Sequence, residues 1–207
     1  MEKKFKLTEE TINVYGIILY RIEAIISFGN ASAGDKGGYV QKEDNLSQSG
    51  NAMVSGNAMV YGNARVSGNA MVSDNARVSG NAEVYGDARV SDNARVSGNA
   101  MVSDNAMVSD NARVSGNAEV YGDAEVSGNA TVYGDAIIKN KNCESPKSYL
   151  TIGPVGHNRF ITLEKSVSII NAGCFSGTIE EFEEAVKDKY GDKGDYYPVI
   201  GFFKSIL

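Results

Sequence analysis

Histidine and cysteine, which often act as general bases and nucleophiles, are rare in this chain. His157 is the only histidine, and Cys143 and Cys174 are the only cysteines. A histidine acts as a general base when it reaches a substrate proton to about 3 Å, and His157 could also activate Cys174 as a thiolate. A small packed cysteine is the simpler interpretation of Cys174. One histidine cannot supply a three-histidine zinc site, so no metal site is predicted.

The element that would have to position such groups is a long repeat. Residues 49–138 form fifteen consecutive hexads of the type Ser/Tyr-Gly/Asp-Asn/Asp-Ala-x-Val, as in Ser67–Val72. The residues that close the hexads are β-branched and lie at every sixth position: Val54, Val60, Val66, Val72, Val78, Val84, Val90, Val96, Val102, Val108, Val114, Val120, Val126, Val132 and Ile138. Such self-similarity predicts a solenoid. Because no loop interrupts the hexads, the repeat has no inserted segment in which to build an active site.

Each hexad predicts one short strand and one corner. Within Ala-x-Val the alanine and valine are two residues apart, so both face inward while x faces outward. Glycine, asparagine and aspartate supply the corners because they tolerate positive φ. The hexad Ser-Asp-Asn-Ala-Arg-Val begins at Ser73, Ser91 and Ser109, and thus recurs at every third hexad. This spacing predicts three hexads per turn, and therefore a rod of five coils about 24 Å long.

The hexads resemble those of the hexapeptide-repeat family, in which a small residue follows an aliphatic one by four positions. The resemblance implies a left-handed parallel β-helix with triangular coils. The entry segment Gly34–Ser47 resembles that of uncharacterised bacterial and prophage-borne members, which are usually labelled transferases. The expected fold class is therefore mainly β: about five regular coils, a non-repetitive N-terminal cap and a small C-terminal α+β appendage.

Three regions are predicted along the chain. Residues 1–48 form a cap with a degenerate first coil, in which Val40 and Leu46 are six residues apart. Residues 49–138 are the β-helix, and residues 139–207 are a polar linker followed by the appendage. In the appendage, Thr178 and Glu181 form a capping-box signature for a helix that would stop at Gly191. Strands are predicted over residues 159–163 and 167–170.

Charge and composition limit the partners. The net charge is −6, and no basic stripe of the kind that nucleic-acid-binding proteins use is present. Direct nucleic-acid binding is therefore not expected. No apolar run approaches the roughly 18 residues that a membrane span requires, so no membrane association is expected. Two cysteines in 207 residues fit a reducing compartment, which favours a cytoplasmic location.

Stacking of every third hexad places the outward side chains in columns. One column is basic at its centre: Met59, Arg77, Arg95, Arg113 and Thr131. The corner before it is acidic at its centre: Gly56, Asp74, Asp92, Asp110 and Gly128. Because each arginine follows an aspartate by three residues, a self-neutralising charge ladder is the simpler interpretation. A binding strip for an anionic ligand is the alternative.

A second column is rich in methionine: Met53, Met71, Arg89, Met107 and Glu125. Methionine on an exposed sheet often belongs to an adaptable contact surface. The predicted interaction surface therefore combines six residues from the two columns: Met53, Met71, Met107, Arg77, Arg95 and Arg113. A homo-oligomer, dimer or trimer, is expected to use the methionines.

Two functions are compatible with the residues. The preferred one is a non-catalytic interaction scaffold without a cofactor, phage-encoded and acting on a host protein as the resemblance suggests. The alternative, which the family resemblance implies, is an acetyl-CoA-dependent acyltransferase that works as a homotrimer. Its base would be His157, although this histidine lies in the appendage and far from the hexads.

Overall fold

The structure is a computed structural model that describes residues 3–139, 142–143, 149–155, 159–164, 168–172, 175–191 and 194–206. Its N-terminal part is a meander of three strands, β1 (Phe5–Val14), β2 (Ile17–Ala24) and β3 (Lys36–Val40). Strand β2 pairs antiparallel with both of its neighbours. The segment between β2 and β3 ends at Asp35, because Lys36 already belongs to β3. The meander leads the chain into the solenoid.

Fifteen two-residue strands, β4–β18, follow within residues 53–138. Each strand consists of the x residue of one hexad and its closing aliphatic residue. Their bounds are Met53–Val54, Met59–Val60, Arg65–Val66, Met71–Val72, Arg77–Val78, Glu83–Val84, Arg89–Val90, Arg95–Val96, Met101–Val102, Met107–Val108, Arg113–Val114, Glu119–Val120, Glu125–Val126, Thr131–Val132 and Ile137–Ile138. The strands pair in parallel with those three hexads away, as Arg77 does with Arg95. Three sheets result in which all hexad strands are parallel, and one of them continues into β3, β2 and β1. This confirms the predicted solenoid.

The core of the fifteen hexads is made of alanine, valine and isoleucine side chains. The alanine of every hexad and its closing valine or isoleucine are at most 1% exposed. The x residues between them lie outside, half-buried or exposed. This alternation is what the pleat of a strand dictates when one face is packed and the other is free. It confirms the predicted inward and outward positions.

Each corner of the solenoid requires a residue with positive φ. Most hexads have glycine there, but Asp74, Asp92, Asp104 and Asp110 adopt φ between 57° and 61°. An L-residue in this region costs about 1–2 kcal/mol relative to glycine. All four carboxylates accept hydrogen bonds that offset part of this cost. Asp92, for instance, accepts from the Ser91 hydroxyl at 2.8 Å, and Asp110 accepts from the backbone N–H of Gly128 at 2.9 Å.

The solenoid extends beyond the fifteen hexads at both ends. Val40 lies opposite Val60, and Leu46 opposite Val66, so this coil is two positions longer than the regular coils. This pairing forms an irregular first coil, which also contains a short 3-10 helix at Glu43–Asn45. At the other end, β19 (Asn142–Cys143) pairs in parallel with Glu125–Val126. The segment predicted as a polar linker therefore begins with one more solenoid strand.

The two ends of the solenoid present different backbone groups. Each coil donates its N–H groups to the next coil, as Met53 N–H does to the Ala70 carbonyl at 2.9 Å. The first coil therefore directs carbonyls away from the solenoid, where β2 covers one of the three sheets, and the last coil directs N–H groups away from it. The buried Lys4 ammonium donates to the carbonyls of Gly50 and Ala52, at 3.3 and 2.8 Å.

Two further side chains complete this end-capping. At the carbonyl end, the Asn45 amide donates to the carbonyls of Gly62 and Ala64, at 3.2 and 2.8 Å. At the opposite end, the buried Glu164 carboxylate accepts from the backbone N–H of Lys139 at 3.3 Å. Donor side chains thus cap the carbonyl end and an acceptor caps the N–H end, as the backbone polarity requires.

The appendage is a four-stranded antiparallel sheet packed against two helices. Its elements are β20 (Tyr149–Val155), β21 (Arg159–Glu164), β22 (Ile169–Ala172), β23 (Phe175–Gly177), α1 (Ile179–Tyr190) and α2 (Tyr197–Ile206). The predicted helix is confirmed, with both capping-box hydrogen bonds between Thr178 and Glu181 and a C-cap at Gly191. The two predicted strands correspond to β21 and β22. Strands β20 and β23 and helix α2 were not foreseen.

Candidate interaction surfaces

The candidate functional surfaces are the three outward columns of the solenoid. The arginine column consists of Met59, Arg77, Arg95, Arg113 and Thr131. The methionine column consists of Met53, Met71, Arg89, Met107 and Glu125. The glutamate column consists of Arg65, Glu83, Met101, Glu119 and Ile137. The first two columns lie as the sequence predicted.

The three arginines of the arginine column are direct neighbours in parallel register. Arg95 lies between Arg77 and Arg113, so the backbones are about 4.8 Å apart. Arg95 and Arg113 are exposed, whereas Arg77 is half-buried. No carboxylate among the described residues lies within 4.0 Å of these guanidinium groups. Like charges this close repel one another in the absence of a counter-ion.

The neighbouring aspartates do not neutralise the arginines by direct pairing. Asp74 and Asp92 each accept a hydrogen bond from the preceding serine hydroxyl, at 2.7 and 2.8 Å. Asp110 accepts from the backbone of the next coil. The expected charge ladder therefore does not take the form of ion pairs, because the corner geometry commits the carboxylates elsewhere. The arginine column is a row of guanidinium groups beside a row of carboxylates.

The methionine column is less exposed than the sequence suggested. Met53 and Met71 are half-buried, and Met107 is 41% exposed. Met53 also lines a crevice of about 250 Å³ below the N-terminal cap, together with Phe5 and Phe28. The column is thus an apolar band on a flat sheet, interrupted by Arg89.

Other crevices of the described chain are open and shallow. One of about 400 Å³ lies beside the 3-10 helix, against Glu43 and Arg65. Another of about 90 Å³ lies in the appendage, lined by Phe182. A third, of about 240 Å³, lies between Tyr85 and Tyr121. The spacing of these tyrosines by six hexads places them in one column from the sequence alone. Cover of the solenoid surface is the simpler interpretation of the corner tyrosines, and stacking against a ligand is the alternative.

The residues singled out for catalysis fall outside the described part of the structure. His157 and Cys174 are both among the residues left undescribed. In the described ranges, no group of three or more His, Cys, Asp or Glu side chains could hold a metal ion. No helix in those ranges is long and apolar enough to cross a membrane.

Comparison with known proteins supports the repeat architecture. The family model described as YdcK beta solenoid repeat matches residues 54–67, 58–74, 64–80, 88–103, 94–110, 102–116 and 124–140. All of these matches fall on the hexads and the residues directly after them. The comparison with curated proteins gave no match. Together with the three parallel sheets, the matches identify the protein as a repeat β-solenoid.

Proposed function

We propose that this protein is a non-catalytic interaction scaffold, and that the arginine column is its binding surface for an acidic segment of a partner protein. The observation that carries this proposal is the row formed by Arg77, Arg95 and Arg113, which has no carboxylate within 4.0 Å in the described chain. Guanidinium groups form strong charge-assisted, bidentate hydrogen bonds with carboxylates. An acidic segment laid along the column would relieve the repulsion between them.

The aspartate row next to the arginines favours a partner that is not negatively charged throughout. A ligand that is negative throughout, such as a nucleic acid, would meet Asp74, Asp92 and Asp110 and be repelled. A protein surface can place acidic side chains over the arginines and neutral or basic ones over the aspartates. This arrangement favours a protein partner, and it agrees with the expectation that nucleic acid is not bound.

The proposal also includes the sequence-based expectations for the source of the partner, the cellular location and the oligomeric state. The resemblance to left-handed hexapeptide-repeat proteins of prophage origin suggests a protein of the bacterial host as the partner. A cytoplasmic location and a homo-oligomeric state complete this proposal. The acyltransferase alternative, with acetyl-CoA as substrate and His157 as base, gains no support from any described residue.

The test compares two charge-matched double variants. Arg77→Gln/Arg95→Gln removes two guanidinium groups from the arginine column, whereas Arg65→Gln/Arg89→Gln removes one from each of the other columns. The probe is a fluorescein-labelled peptide of alternating glutamate and serine, and binding is measured by fluorescence anisotropy at low salt. Since the chain carries −6, binding of an acidic peptide requires a local basic site.

We expect the arginine-column variant to bind about tenfold more weakly, which corresponds to about 1.4 kcal/mol. The control variant should bind within about twofold of the wild type. Raising the salt concentration should weaken the wild-type complex, because exposed charge pairs are screened. Equal losses in both variants, or no binding by the wild type, would refute the proposal.

A further inference from the structure

A corner column on another side of the solenoid contains an aromatic slot. This column follows the glutamate column and consists of Ser67, Tyr85, Ser103, Tyr121 and Lys139. Its register is fixed by backbone hydrogen bonds, such as Tyr85 N–H to the Val102 carbonyl at 3.0 Å and Ser103 N–H to the Val120 carbonyl at 3.0 Å. The two tyrosines are therefore two coils apart, or about 10 Å. We call the gap between them the tyrosine slot.

The tyrosine slot has a volume of about 240 Å³. The residues that line it are Tyr85, Met101, Ser103, Asp104, Glu119, Val120 and Tyr121. It is smaller than the pockets of about 300–1,000 Å³ that hold drug-sized ligands. The slot therefore fits a single head group or one side chain of a partner.

Ser103 gives the slot a hydroxyl that forms no hydrogen bond with the described residues. Ser103 is 6% exposed, and its hydroxyl bonds to no described residue. Ser73 and Ser91 differ, since each donates to the aspartate that follows it. The carboxylate that follows Ser103, that of Asp104, instead accepts from the Gly122 backbone N–H at 3.2 Å. The Ser103 hydroxyl is not one of the fully buried atoms that lack a partner, so it is open to the slot and free to accept a hydrogen bond.

The electrostatic environment of the slot is negative. Burial raises the pKa of the Tyr121 hydroxyl, and the carboxylates of Glu119, Glu164 and Asp104 raise it further. The chain already places one cation at Tyr121, because the Lys139 ammonium lies 5.8 Å from the centre of its ring. Lys139 lies one coil beyond Tyr121, on the side of the column away from Tyr85.

We propose that the tyrosine slot binds an organic cation, namely a guanidinium or alkylammonium group held between Tyr85 and Tyr121 and balanced by Asp104 and Glu119. The faces of aromatic rings attract such cations. The carboxylates accept hydrogen bonds from the cation's N–H groups, and the Ser103 hydroxyl supplies another acceptor. The same chemistry is offered by a free metabolite and by an arginine or lysine side chain of a partner. This site does not depend on the arginine column.

The decisive variant fills the slot with a residue that the hexad already tolerates. Ser103→Tyr places a tyrosine between Tyr85 and Tyr121 of the same column. Because the coils on both sides already have tyrosine at this corner, the variant should fold. Ser97→Tyr is the matched control. It makes the same change in the corner column that carries Tyr61 and Tyr133 and lies away from the slot. Circular dichroism should show the same spectrum for both variants.

The measurement is a titration followed by the ring resonances of tyrosine in NMR spectra. The probes are ethylguanidinium and a five-residue peptide with arginine at its centre. Cation–π contacts predict dissociation constants in about the millimolar range for ethylguanidinium. Ser103→Tyr should abolish saturable shifts, whereas Ser97→Tyr should bind as the wild type does. Tyr85→Leu and Glu119→Gln should each weaken binding several-fold, roughly as single contacts of this kind predict.

The relative strength of the two probes distinguishes the sources of the cation. A peptide that binds more than about tenfold tighter than ethylguanidinium indicates a protein partner, since flanking contacts add free energy. Comparable affinities indicate a small metabolite. The proposal is overturned if the wild type shows no saturable shifts with either probe, or if Ser97→Tyr loses binding as Ser103→Tyr does. The arginine-column variants should bind both cationic probes as the wild type does. The two proposals can therefore be refuted independently of each other.

Discussion

Lys4 is the residue whose chemistry is most altered by the fold. Its ammonium bonds to two carbonyls of the first coil and lies 4.5 Å from the centre of the Phe28 ring. The residue is 2% exposed. Burial lowers the pKa of Lys4 from 10.5 to about 8, because a buried ammonium loses its hydration. Lys4 thus donates to carbonyls next to β4 that no further strand pairs with, and its ammonium is desolvated in doing so.

This lowered pKa predicts a pH dependence of stability. Between about pH 8 and 10.5 the unfolded chain holds the proton that the folded chain releases, so the free energy of unfolding rises with pH over this window. From pH 7.5 to 9.5 the wild type should gain about 2 kcal/mol relative to Lys4→Met. The measurement is urea unfolding at the two pH values, followed by circular dichroism.

Lys6→Met is the control for this experiment. Lys6 is exposed and pairs with Glu23 at 2.8 Å, so its removal should leave the pH dependence of the wild type in place. A constant difference between wild type and Lys4→Met at the two pH values would contradict the prediction.

At the scale of the elements, asparagine ladders tie the coils together along the corners. In the most complete ladder each side-chain amide donates to the next coil, in the order Asn63, Asn81, Asn99, Asn117 and Asp135. Asp135 can only accept, so it ends the ladder, and Lys42 donates to Asn63 at its beginning. The ladder therefore has a direction, which is the direction of the backbone hydrogen bonds.

Removing the middle of this ladder should destabilise the solenoid. Asn99→Ala removes two hydrogen bonds of 2.9 Å, and each such bond contributes about 0.5–1.5 kcal/mol. We expect a loss of about 1–2 kcal/mol in urea unfolding. Asn129 occupies the equivalent corner position but bonds to no described residue, so Asn129→Ala should cost less than half as much. Equal costs would show that the ladder does not contribute.

The regular elements were predictable because their causes are local. The recurrence of Ser-Asp-Asn-Ala-Arg-Val at every third hexad places every valine and corner without knowledge of distant residues. Strand β1 was missed because its Thr-Glu-Glu-Thr stretch lacks an apolar pattern, and it becomes a strand by pairing with β2. Helix α2 was missed because Pro198 and Gly201 are weak helix signals, whereas packing buries Val199, Ile200 and Phe203.

The candidate surfaces were predictable in position but not in contacts. Register alone placed Arg77, Arg95 and Arg113 in one row. That Asp92 bonds to Ser91 and not to an arginine depends on the corner φ of 59° and on the neighbouring coil. The tyrosine slot could not be predicted either, because it depends on the burial of Ser103, which the sequence does not show.

At the scale of the whole molecule, the solenoid is a polar rod with chemically distinct ends. The carbonyl end is covered by the cation Lys4 and the amide Asn45, and the N–H end by the carboxylate Glu164. Because these caps satisfy backbone groups that would otherwise accept another strand, they block end-to-end growth of the rod. Self-association is therefore expected through a side of the solenoid, and the apolar band of the methionine column is the candidate.

This gives the prediction for the oligomeric state. Met71→Lys/Met107→Lys places two charges in the methionine column, where burial of an unpaired ammonium opposes association. Light scattering should give a multiple of 22.1 kDa for the wild type and a single chain for the double variant. Met59→Lys, which lies outside the methionine column, should keep the wild-type mass. An unchanged mass in the double variant, or a monomeric wild type, would rule out the methionine column as an interface between copies of the chain.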